Sequence, residues 1–187
     1  MLRRLQNFLA FQIGWLGCVA AAGYRLPLLG LLIAGIVTGL HLLRSPAPLA
    51  ELKLVAAAVA VGTLCESALL ATGWLSYPVG QPLQLVAPFW IIAMWAMFAT
   101  TLHESLAWLT RNAALAALLG AVLAPLAYWA GARMGALSLD RPVPAVLAIA
   151  AAWAAALPLL ILAARSLCPR GPTGSKAVST GEAAGHA

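Results

Sequence analysis

From Leu5 to Tyr24 the chain contains no Asp, Glu, Lys or Arg, and the same holds from Leu26 to Leu43 and from Pro142 to Ala164. Runs of this length constrain the fold more than any other feature. About 20 apolar residues in helical form cross the ~30 Å hydrocarbon layer of a bilayer. Six stretches qualify, at about 5–24, 26–43, 50–73, 85–109, 112–132 and 143–165. Charged residues are 9% of the 187, against roughly 25% in a soluble domain. Too little polar surface is left to clothe a water-soluble globule, so lipid is the expected solvent. The expected fold is all-α: a polytopic transmembrane bundle of about six helices spanning 1–167, followed by a disordered cytoplasmic tail over 168–187.

The breaks between stretches carry suitable chemistry. Proline cannot continue a helix ladder, and RSPAP (44–48), GWLSYPVGQP (73–82) and LSLDRPVP (137–144) separate neighbouring helices. Trp74 and Tyr77 suit a membrane interface, where aromatic rings are half wet. With the N-terminus in the cytoplasm, inside segments hold Arg3, Arg4, Arg44, Lys53, Arg111, Arg165, Arg170 and Lys176. Outside segments hold Arg25, Arg133 and Arg141. This asymmetry follows the positive-inside rule and puts both termini inside. The basic residues sit singly between apolar runs and form no nucleic-acid patch. WLGC (15–18) hints at a lipoprotein cleavage site, but Trp15 stands where such sites want an aliphatic residue, so the first stretch is read as a span. Cys18, Cys65 and Cys168 are odd in number and lack CxxC spacing, which argues for packing rather than disulfides or zinc. Close packing must hold the bundle together. GIVTG (35–39) and the small residues Ala113, Ala114, Ala117, Gly120 and Ala121 are candidate contact faces.

An ionisable group in hydrocarbon is costly and normally faces the bundle interior or a wet cavity. Glu66 falls in the outer half of the third helix. It reads as a proton or cation site, or as a neutral acid bonded to a neighbouring helix; Arg133 is its candidate partner. The polar run Thr100, Thr101, His103, Glu104 and Ser105 falls near the cytoplasmic end of helix four. Helical spacing puts Trp90, Met94, Met97, Thr101, Glu104 and Trp108 on one stripe, with Thr101 and Glu104 in a polar pocket roofed by Trp108. The plainer alternative is a helix end that reaches the interface. His41 lies near the depth of His103, and these two with Glu104 form a candidate haem or metal set. HESLA lacks the second histidine of the zinc-protease motif, Ala107 standing there instead. Gln12 is the deepest polar residue of helix one. Trp95 and Tyr128 complete a candidate ligand-binding set of Gln12, Glu66, Trp95, Thr101, His103, Glu104, Tyr128 and Arg133. No metal site is assigned and the cofactor is left open.

APFWIIAMWAMFATTLHESLAWL (87–109) and LLGAVLAPLAYWAGARMGAL (118–137) together resemble the bacterial domain-of-unknown-function family 2878, and NFLAFQIGWLGCV (7–19) is similar to that family's start. The resemblance runs through nearly the whole chain except the tail. It implies a multi-pass protein of the bacterial inner membrane with a role linked to membrane-lipid modification. It also implies an Asn-His pair where His103-Glu104 stands here, and an aspartate near Glu66.

Three functions fit these residues. The first is a non-catalytic accessory or binding protein with a polar intramembrane pocket, its partners being the bilayer, a lipid or small-molecule ligand, and a second copy or another membrane protein. The second is a small proton-coupled transporter using Glu66. The third is a membrane enzyme or haem or metal protein using His41, His103 and Glu104. The balance leans away from an enzyme, because no Walker loop, nucleophile elbow or paired catalytic carboxylates occur.

Overall fold

The computed structural model describes residues 2–167; the tail expected over 168–187, and Cys168 with it, lies outside the described residues. Six α-helices run in order: α1 (Leu2–Gly23), α2 (Pro27–Arg44), α3 (Pro48–Ala71), α4 (Phe89–Leu102), α5 (Ala113–Arg133) and α6 (Pro142–Leu167). A single 3₁₀ turn, Leu109–Arg111, precedes α5. Among the described residues there is no strand, only one antiparallel bridge between Ser76 and Ser138. The molecule is a helical membrane bundle, and five of its helices are long and apolar enough to cross a bilayer.

Helix starts follow local chemistry. α2, α3 and α6 begin at Pro27, Pro48 and Pro142, where a missing N–H costs nothing because the first-turn donors have no helical partner. α5 is capped by Asn112, whose side chain accepts the Leu115 N–H at 2.9 Å. Pro125 and Pro158 sit inside α5 and α6, which helices buried among other helices tolerate.

Successive helices alternate in direction. At one end the loops after α1, α3 and α5 meet: Ser76 and Ser138 exchange backbone bonds of 3.0 and 2.8 Å, and the Arg141 N–H donates to the Trp74 carbonyl. The opposite end gathers the start of α1 and α3 with the finish of α2, α4 and α6. α4 is the central element, packed on α1, α2, α3 and α6. The outside is apolar, with Leu28, Leu43, Leu64, Val143 and Leu147 among its exposed residues, as a lipid-facing shell requires.

Five helices match their expected spans to within a few residues. The fourth does not: instead of 85–109 it covers Phe89–Leu102. Its 14 residues rise about 21 Å, short of the ~30 Å layer. Pro88 sets its start. At its far end the Thr100 and Thr101 hydroxyls donate to the Met97 and Phe98 carbonyls, and the chain then turns through 103–108. The polar run cannot face lipid as a straight helix, whereas as turns it reaches partners on α1, α3 and α6.

The small residues pack, but not all where expected. Ala116, Gly120 and Ala124 are buried on α5, and a Cβ on Gly120 would strike the Trp153 carbonyl of α6. Ala113 and Ala114 are exposed. Gly35 and Gly39 of the GxxxG have nothing within 4 Å of where a Cβ would stand. That face of α2 points away from the rest of the chain, so the motif does not join helices within the bundle.

Candidate functional site

Glu66 is fully buried on α3. Three side chains from three other elements donate to its carboxyl. The Tyr77 hydroxyl, from the loop after α3, meets Oε2 at 2.8 Å. The Trp95 indole N–H of α4 meets Oε1 at 2.9 Å. The Tyr128 hydroxyl of α5 donates to the same Oε1. Burial and the neighbouring Glu66 carboxyl push the Tyr77 phenol well above its ordinary value, so it remains a donor throughout the physiological range.

Gly62 makes this arrangement possible. It lies one turn before Glu66, and a Cβ there would overlap the Trp95 ring. Without a side chain, α3 lets the indole lie against its backbone with Nε1 on the carboxyl. Trp95 also stacks on Trp153 of α6, with centroids 4.4 Å apart and planes at 24°. Phe98 meets Trp153 edge-on, and Phe11 of α1 meets Phe98 likewise. A continuous aromatic seam thus links α1, α4 and α6 beside the acid.

Two cavities adjoin the seam. A small one of about 70 Å³ reaches Glu66 itself. A larger one of about 440 Å³ is walled by Phe8, Phe11, Leu119, Leu123, Ala127 and Leu157, with Gln12, Thr101, Ser105 and Tyr128 as its polar lining. Phe11, Trp15, Phe98, Tyr128 and Trp153 border both. Phe8 and Leu123 are exposed, so the larger cavity is a cleft facing lipid between α1 and α5.

The expected Glu66–Arg133 pair does not form. Arg133 lies five residues beyond Tyr128, about 140° further round α5, and its guanidinium sits 5.9 Å from the Trp129 ring. The shared pocket of Thr101 and Glu104 does not form either. Once the helix ends at Leu102, the stripe ends with it: Thr101 lines the apolar cleft, Glu104 turns to Arg3 at 2.6 Å, and Trp108 is largely exposed and roofs nothing.

A second polar cluster occupies the end of the bundle opposite the Ser76–Ser138 bridge. Glu51 is buried on the first turn of α3. Its Oε1 lies 3.0 Å from Nδ1 of His103, and its Oε2 3.4 Å from Nε2 of His41. The other ring nitrogen of His103, Nε2, is 2.9 Å from the Ala164 carbonyl of α6. That carbonyl only accepts, so Nε2 carries hydrogen. Nearby, Asn7 Nδ2 donates to the Thr100 carbonyl and Ser105 Oγ donates to Asn7 Oδ1. The trio of His41, His103 and Glu104 does not converge as a ligand set, because Glu104 belongs to Arg3 and both ring nitrogens of His103 are engaged. Among the described residues, no group of three or more His, Cys, Asp or Glu side chains is arranged to hold a metal.

A family model described as protein of unknown function (DUF2878) matches residues 4–159. The chain belongs to this family. No curated protein and no solved structure matches it. The matched span takes in Gly62, Glu66, Tyr77, Trp95, Tyr128 and Trp153, together with His41, Glu51 and His103. Arg3 and Ala164, which complete the second cluster, fall outside it.

Of the expected set, the structure brings Glu66, Trp95 and Tyr128 together, and places Gln12 and Thr101 in the adjoining cleft. His103 and Glu104 belong to the opposite end, and Arg133 to neither place. Sequence reasoning missed Tyr77, Trp153 and Glu51. Tyr77 read as an interface aromatic, and only the fold of its loop carries it inward. Glu51 carried a usable signal: it is 15 residues before Glu66, about four helical turns, so the two acids share one side of α3.

Proposed function

We propose that this membrane protein is a non-catalytic binding protein for an amphipathic lipid-like ligand, acting as an accessory to membrane-lipid chemistry. The carrying observation is the cleft of about 440 Å³ between α1 and α5, apolar along its walls and polar where it meets Tyr128. Small-molecule sites span roughly 300–1,000 Å³ and combine apolar walls with a few placed polar groups. Helices in lipid gain no hydrophobic drive to close such a gap, so an acyl or isoprenoid chain fills it from the side. The polar end of that ligand then lies by Gln12, Tyr128 and Glu66.

The same reading places the protein in the bacterial inner membrane with Arg3 toward the cytoplasm. Arg3, Arg4, Arg44, Lys53, Arg111 and Arg165 gather at one end of the bundle, against Arg25, Arg133 and Arg141 at the other. The positive-inside rule supports this orientation.

Purification in mild detergent, with native mass spectrometry and lipid extraction, tests the binding role. A stoichiometric lipid should be retained, and lost when Ala127→Trp fills the cleft. Ala127 is half-buried on its wall. A protein that carries no lipid, and binds an acyl-chain probe no better than Ala127→Trp does, would sink the proposal.

A further inference from the structure

Six aromatic side chains and one carboxyl surround the 70 Å³ cavity: Phe11, Trp15, Trp95, Phe98, Tyr128 and Trp153, with Glu66 at its back. Two apolar residues, Ile91 and Met94, complete the wall. By the same measure one water needs about 10–15 Å³, so the space admits a group of several heavy atoms.

The surroundings of Glu66 are one-sided. All three polar partners of Glu66 donate to it, an arrangement able to satisfy an anionic carboxyl. Oε1 accepts two hydrogen bonds, while Oε2 accepts only that of Tyr77. The ion pairs among the described residues join Arg3 to Glu104 and both His41 and His103 to Glu51. None of them gives Glu66 a cation. Aromatic faces attract cations through their quadrupole, and cages of such rings recognise methylated ammonium groups. A cation in the cavity would favour the ionised form of the Glu66 carboxyl, which has no other counter-charge among the described residues.

Resting on the binding role proposed above, we infer that the Glu66 cavity takes the head of a lipophilic ammonium cation, tertiary or quaternary, whose apolar chain lies in the neighbouring cleft. The carboxylate supplies the counter-charge, the rings supply the cage, and Gln12 and Tyr128 lie where chain and head meet. A phosphocholine lipid carries the same ammonium, but it also brings a phosphate a few bonds away, and the cavity has no basic side chain to meet that phosphate. The occupant is therefore a cation without a phosphate.

The test uses the full chain in a neutral maltoside detergent and reads tryptophan fluorescence, since Trp15, Trp95 and Trp153 line the cavity. Three probes are compared: decyltrimethylammonium and decylphosphocholine below their micelle concentrations, and the neutral carbon isostere with a tert-butyl head delivered in the maltoside micelles. The ammonium should bind at least about tenfold more tightly than the isostere, and more tightly than the phosphocholine. Glu66→Gln should cut the ammonium's preference over the isostere severalfold while leaving the isostere unchanged, the rings keeping the remainder. If Glu66→Gln fails to fold, Phe11→Leu at the rim serves instead and should weaken the ammonium severalfold more than the isostere.

Equal binding of ammonium and isostere to the wild type would overturn the cation site and leave the cleft reading standing. An undiminished charge preference in folded Glu66→Gln would also overturn it. Tighter binding of the phosphocholine would reassign the site to a lipid headgroup. Binding of none of the three would remove the cleft reading as well.

Discussion

Tyr77→Phe removes one oxygen, yet among the described residues it takes away the only donor to Oε2 of Glu66. Leaving a buried acceptor unsatisfied costs about 1–3 kcal/mol, so the variant should lose that much stability in a denaturant titration in micelles. Combined with Glu66→Gln, the two losses should add to less than their sum, because both act on one network. Gly62→Ala opposes two effects. Alanine improves helix propensity by up to about 1 kcal/mol, but its Cβ falls on the Trp95 ring, and overpacking a filled site costs about 1–3 kcal/mol. The ring is held by Trp153 behind it, so the clash wins. The expected result is a lower Tm together with a shifted tryptophan emission as the indole leaves Glu66. An unchanged spectrum would mean that the ring does not depend on Gly62.

At the scale of elements, two of the contacts at the end of α4 differ in strength. Arg3 and Glu104 approach to 2.6 Å, but the arginine side chain is 62% exposed, and exposed pairs contribute about 0–1 kcal/mol. Arg3→Ala should therefore move the Tm little. His103 and Glu51 are different, with side-chain exposures of 16% and 9%. Removing His103 leaves Glu51 with only His41 beside it and takes the donor from the Ala164 carbonyl, at about 1–3 kcal/mol for each buried group left unsatisfied. His103→Ala should consequently destabilise the protein far more than Arg3→Ala, in the same thermal melt. Equal effects would mean that the α4 end is held by its backbone turns instead. The sequence showed that residues 100–105 were too polar for hydrocarbon. It did not show that they leave the helix, because that depends on Glu51 and the Ala164 carbonyl standing within reach. Periodicity alone carried the stripe on to Glu104 and Trp108.

The whole molecule is a ring of five long helices around one short central helix, with a cleft on the α1–α5 side. α5 is held on its other flank, where Gly120 lies against the Trp153 backbone. Gly120→Leu should force α5 from α6, move Trp153 off Trp95, and abolish ligand binding along with stability. Ala127→Trp should abolish binding and lower the melt far less than Gly120→Leu, since it fills the cleft and disturbs no packed seam. Reporter fusions after Arg44 and after Arg133 should show opposite sides of the membrane, with the Arg44 side cytoplasmic.

What the sequence by itself determined is what depends on solvent and chain length: an all-helical membrane bundle, the position of nearly every helix end, and Glu66 as a buried acid in need of an explanation. Charge-free runs and prolines are local, and the cost of a charge in hydrocarbon is the same in any arrangement of helices. What only the tertiary structure decided is partnership. Which ring meets Glu66, whether Arg133 turns toward it, and which acid holds His103 depend on how each helix is rotated and which helix stands beside it. Rotation is set by contacts such as Gly62 under Trp95 and Gly120 under Trp153. In lipid every helix face is apolar, so hydrophobic patterning carries little information about which face turns inward.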